Sequence, residues 1–200
     1  MNKQIFGLFL IILLVSSTYM QVPDVKAATA TVPLSVTVNG SLVISDADND
    51  TMSGTNPTKN VSISVTPDLG ATNATGSANF RIRTNRSAWR VTAQRTASDA
   101  GDTGIADTDV KVDITKSAGS NASASAGALV SPFTAQADIS SISTSSAVDV
   151  INGTAKTSSA KDSSNASNWF QLSTTYSIFP DFFYTPGTYS TTITYSLVSP

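Results

Sequence analysis

A two-residue alternation of apolar and polar side chains recurs along this chain and dictates what it can fold into. Val32, Leu34, Val36 and Val38 alternate with Pro33, Ser35 and Thr37. Val61, Ile63 and Val65 alternate with Ser62 and Ser64, and Phe80 and Ile82 with Arg81 and Arg83. Trp89, Val91 and Ala93 alternate with Arg90 and Thr92, and Val110, Val112 and Ile114 with Lys111 and Asp113. The closing stretch has Tyr189, Ile193, Tyr195 and Leu197 on one side and Ser190, Thr192, Thr194 and Ser196 on the other. Successive side chains of a strand point to opposite faces, so each segment buries one face and wets the other. Weaker strands are expected near residues 128–133 and 148–151, and a stronger one over 170–178. Two sheets packed face to face bury such one-sided strands, which predicts an all-β chain with a single antiparallel β-sandwich of about 9–10 strands. A barrel is the alternative closure. Asn39-Gly40 predicts a hairpin between residues 32–38 and Leu42–Ile44. Pro33 lacks an N–H and marks the first strand as an edge.

Composition closes off other classes. Lys and Arg number 12 and the acids 14; every acid is Asp, and Glu, His and Cys are absent. Glu favours helices, whereas Ser, Thr, Asn and Gly favour strands and turns. Without His or Cys there is no Ser-His-Asp or Cys-His pair and no ordinary zinc site. Disulfides and lipoprotein attachment through Cys are likewise excluded. Ser158-Ser-Ala-Lys161 matches the S-x-x-K pattern of penicillin-binding proteins, but its companion boxes are missing. Paired Asp residues can cleave glycosides, yet nothing marks one with a raised pKa. The expectation is a protein that is not an enzyme. A net charge of −2 offers no basic field for nucleic acid.

Residues 1–30 read as a signal peptide. Ile5 to Val15 is an apolar run too short to span a bilayer, and Val25-Lys-Ala27 and Ala28-Thr-Ala30 offer small residues for cleavage. No second apolar run follows, so no membrane span is expected in residues 31–200. The expected product is a secreted, cell-surface domain over 31–200. Its low-complexity segments 117–127, 140–146 and 156–168 are expected as surface loops.

Three clusters carry candidate chemistry. Asp46-Ala-Asp48-Asn-Asp50 places three carboxylates in one short loop, as calcium requires, or forms a solvated turn. It lacks the Gly and Glu of an EF-hand, having Thr51 and Pro57 there. Asp99, Asp102, Asp107 and Asp109 form a second acidic loop. Arg81, Arg83, Arg86, Arg90 and Arg95 either line a wet sheet face that binds an anionic glycan or are balanced by Asp. In Ile178-Phe-Pro-Asp-Phe-Phe-Tyr184, Phe182 and Tyr184 are expected to point inward and extend the core strand; an aromatic platform for sugars or a partner is the alternative.

Two stretches together resemble the WxL surface domain of Gram-positive bacteria. Arg83-Thr-Asn-Arg-Ser-Ala-Trp-Arg-Val-Thr-Ala-Gln94 is similar to the first WxL box, with Val91 where the motif has Leu. Tyr189 to Pro200 is similar to the second, with Tyr195 where the motif has Trp, followed by Leu197. The resemblance implies non-covalent attachment to cell-wall polymer, with Trp89, Val91, Tyr195 and Leu197 in the matching positions. Ala30 to Val38 and Tyr184 to Tyr195 also resemble segments of pilin-like β-sandwiches, the spore coat U group and chaperone–usher fimbrial subunits. That resemblance implies self-association by strand addition, with Val32, Leu34, Val36 and Val38 as anchors. The partners expected are therefore wall polymer or other surface proteins, and no cofactor is required.

Overall fold

A computed structural model describes residues 31–50, 56–123 and 127–200, so the expected signal peptide, 1–30, lies outside the described residues. The chain divides into two units, Met1–Thr37 and Val38–Pro200. Within the second, nine strands run in order: β1 Leu42–Asp46, β2 Ala74–Thr84, β3 Trp89–Arg95, β4 Lys111–Ala118, β5 Gly127–Leu129, β6 Ala137–Asp138, β7 Val148–Gly153, β8 Phe170–Ile178 and β9 Ile193–Val198. They form a five-stranded sheet, β1-β2-β8-β4-β6, and a four-stranded sheet, β5-β7-β3-β9. Every pairing is antiparallel. The fold is all-β and consistent with the expected sandwich.

The alternation is obeyed on both inner faces. From β2, Ala78, Phe80 and Ile82 point inward; from β8, Phe170, Leu172 and Thr174; from β4, Val112 and Ile114. The other sheet answers with Trp89, Val91 and Ala93 of β3 and Val150 and Ile151 of β7. Each such large side chain removed from water stabilises the fold by about 1.5–3 kcal/mol. Trp89 lies opposite Gly153 in the β3–β7 ladder. A Cβ on Gly153 would come 2.0 Å from the indole, so glycine there is the space the ring occupies. The indole N–H donates to the Ala155 carbonyl at 2.7 Å, which satisfies its polar atom.

The strand boundaries depart from expectation in three places. Residues 31–41 form no strand and the Asn39-Gly40 hairpin is not made. Asn39 and Ser41 are held instead by the Asn85 side chain, through Nδ2 to the Asn39 carbonyl and Oδ1 to the Ser41 N–H. Val61, Ile63 and Val65 keep their alternation of half-buried and exposed positions but join no ladder. Val61 and Ile63 cover the inner face of β2 at Gly76, where a Cβ would lie 2.5 Å from Val61. Residues 131–135 turn rather than extend, with the Phe133 N–H bonded to the Val130 carbonyl.

Candidate functional site

The two WxL-like boxes fall on neighbouring strands. β3 and β9 pair directly, with Val91 opposite Leu197 and Ala93 opposite Tyr195. The side chains named for partner binding lie on the core side: Trp89 is 1% exposed and Val91 0%, while Tyr195 and Leu197 pack against the same core. What this pair offers a partner is therefore the strands they hold in place, and the outward row Thr92, Gln94, Thr194 and Ser196. With Arg95, Thr96, Thr144 and Ala147 that row lines a shallow polar groove of about 320 Å³.

The Asp46–Asp50 loop is occupied by the chain's own cations. Lys59 Nζ lies 2.8 Å from Asp46 and 2.6 Å from Asp48. Asp50 accepts from Arg83 through both oxygens, at 2.8 and 2.7 Å, and from Arg81 at 2.7 Å. The Arg83 guanidinium, then the Ser45 hydroxyl and Arg81, hold the Asp50 carboxyl far below its ordinary range. The Lys59 ammonium and backbone N–H groups lower Asp46 as well. Carboxylates neutralised this way are not presented as a calcium cage, and no group of three or more metal-ligating side chains converges among the described residues. In the second acidic loop, Asp107 pairs with Arg95 at 2.6 Å and accepts from the Tyr189 hydroxyl at 2.6 Å. Burial and that carboxylate push the Tyr189 phenol up to about 12.

The arginine row resolves into the same set of pairs. Arg81 and Arg83 bind Asp50, Arg90 reaches Asp149 at 3.4 Å, and Arg95 binds Asp107. Arg81 also stacks over Trp169, 4.2 Å from the ring centre. Arg86 alone of the five is exposed and makes no ion pair among the described residues. Ser158 of the S-x-x-K match donates its hydroxyl to the Ala160 carbonyl, and Lys161 is exposed, so the two are not joined as nucleophile and base.

The four anchors at the start of the chain stand clear of the core. Val32 is 85% exposed, Leu34 86%, Val36 78% and Val38 79%. The aromatic stretch near residue 180 also departs from expectation. β8 ends at Ile178, and Pro180 cannot continue a ladder. Asp181 then closes a turn, its side chain accepting from the Phe183 N–H and its carbonyl from the Tyr184 N–H. This turns Phe182 outward, 73% exposed, with Phe179 and Phe183 beside it in the chain and exposed too, while Tyr184 stays half-buried. The signal available in the sequence was Pro180 followed by a turn-forming Asp, which ends the alternation before Phe182.

Comparison of the chain with protein-family models, with curated proteins and with solved structures finds no match.

Proposed function

We propose that this is an exported, non-catalytic β-sandwich of the cell surface that associates with other copies through its N-terminal segment, residues 32–38, added as a strand to a neighbour. The observation that carries this reading is the exposure of Val32, Leu34, Val36 and Val38. Four apolar side chains on one face of an extended segment are costly to leave in water, at roughly 1.5–3 kcal/mol each. The segment's backbone N–H and C=O groups have no ladder to join. An extended peptide with this pattern recovers both terms by adding to a sheet edge. Size-exclusion chromatography and electron microscopy of residues 31–200 test it. Assembly that disappears when Leu34 and Val36 are replaced by Asp supports strand addition, and a protein that stays monomeric at high concentration overturns it.

A second reading, a wall-associated module of WxL-like type, is favoured by the pairing of the Trp89–Val91 and Tyr195–Leu197 strands. Retention on purified peptidoglycan, lost when Thr92, Gln94 and Thr194 on the outer face become Lys, supports it. Absence of retention by the intact protein removes it.

A further inference from the structure

Nine large apolar side chains are exposed among the described residues, and they fall into two groups. Five belong to the stretch Val32 to Leu42. The other four are Leu69, 92% exposed, Phe179, Phe182 and Phe183.

β2 fixes where these groups stand on the sandwich. Val38–Pro200 begins beside Asn85, since Ser41 and Asn39 bond to its side chain, and Leu42 pairs with Thr84. That is the C-terminal end of β2. At the other end, Ala74 pairs with Ile178, so the 179–184 turn and the turn at Leu69, closed from the Ala71 N–H to the Asp68 carbonyl, both leave the sheet there. The Phe183 ring lies 3.3 Å from where a Cβ on Gly104 would sit, and Thr185 N–H bonds to the Thr103 carbonyl, which brings the 101–104 loop to the same place. β2 has 11 residues, so the two ends are about 35 Å apart.

Charge divides the same way. At the Thr84 end Arg86, Lys156 and Lys161 are exposed and unpaired among the described residues, and Arg81 and Arg83 outnumber their partner Asp50. Asp162 is the counter-charge there, capped by Ser164 and Ser167. At the Ala74 end Asp68, Asp102 and Asp181 are exposed around the phenylalanines. One end is basic and carries the root of the apolar segment. The other is acidic and carries an aromatic surface.

We infer that the aromatic end receives the 32–38 segment of a second copy, so that copies join head to tail. This inference rests on the strand-addition reading and adds the surface that accepts the strand. The Phe182 and Phe183 rings would cover the Val and Leu anchors, and Asp68 and Asp181 would face Arg86 and Lys156 of the incoming copy. A contact between unlike surfaces does not close on itself, so it repeats into an open array rather than a two-fold dimer.

Two variants of residues 31–200 test it by mixing. One, L34D/V36D, spoils the donor segment; the other, F182S/F183S, spoils the acceptor. All four positions are exposed, so both variants are expected to keep the parent's circular dichroism and melting temperature. Each alone is expected to run as a monomer. Mixed, they are expected to give a 1:1 dimer and nothing larger, because only one productive junction remains. If F182S/F183S assembles like the parent, or the mixture stays monomeric while the parent assembles, the aromatic end is not the acceptor and strand addition at another edge stands. A parent that never assembles overturns the strand-addition reading with it.

Discussion

The hydroxyls of Tyr176 and Tyr195 meet at 3.0 Å inside the sandwich, one from β8 of the five-stranded sheet and one from β9 of the four-stranded sheet. Each is the other's partner across an apolar layer, with the Phe80 ring 6.1 Å from Tyr195. Removing one hydroxyl leaves a buried polar group unsatisfied, whereas removing both leaves none. Tyr176→Phe alone is expected to destabilise by about 1–2 kcal/mol, and the double variant Y176F/Y195F by less than either single change. Urea unfolding of the three variants gives the coupling directly; strictly additive losses contradict the pairing.

The same phenols set the alkaline limit of the fold. Burial raises Tyr176 and Tyr195 above the ordinary value of 10.0, and Tyr189 reaches about 12. A raised folded pKa contributes stability that is complete below the unfolded value and is lost as pH climbs towards the folded one. Stability is therefore expected to hold to about pH 10 and to fall between about 10 and 12. Tyrosinate absorbance should rise together with the loss of circular dichroism. Free ionisation of all five tyrosines near pH 10 in folded protein contradicts this.

Gly153→Ala is expected to cost about 1–3 kcal/mol, because the new methyl meets the Trp89 ring rather than solvent. Thermal unfolding followed by tryptophan fluorescence reads it. The companion Trp89→Phe, which vacates part of that space, should recover some of the loss; an unchanged melting temperature in G153A would mean the ring sits elsewhere.

Asp50→Asn is expected to destabilise by roughly 3 kcal/mol, since the Arg83 side chain, only 8% exposed, loses its bidentate anion. Asp50 is held below its ordinary value of 3.8, so its stabilising effect is full above that value and fades as pH falls below it. The parent should lose stability on acidification below about pH 4 more steeply than D50N. Parallel acid curves for the two proteins contradict this pairing.

Calcium is expected to leave the melting temperature unchanged, because Lys59 already spans Asp46 and Asp48. A rise of several degrees with calcium, reversed by a chelator, returns the loop to cation binding.

Much of the sandwich is legible in alternation alone, because Phe80, Ile82, Trp89 and Val91 sit where a period of two puts them. Alternation reports which face is apolar and says nothing about whether a neighbour exists to bury it. Residues 32–38 and 61–65 carry the same pattern as β3, yet neither joins a ladder. The ion pairs were hidden for a related reason. Asp50 and Arg83 are 33 positions apart, and only the β1–β2 register brings Asp46 opposite Phe80 and so carries the loop to Arg81 and Arg83. Phe182 was misjudged because its size suggested core, while Pro180 had already ended the strand.

The chain's two tryptophans occupy dissimilar surroundings. Trp89 sits sealed between Gly153 and Phe170, whose ring centre is 6.0 Å away. Trp169 lies half-buried beneath the Arg81 guanidinium, next to the Asp50 pair. The molecule thus holds two built-in optical reporters, one on the interior and one on the charged rim. Single-tryptophan versions would resolve by emission wavelength whether the rim loosens before the interior melts or the two give way together.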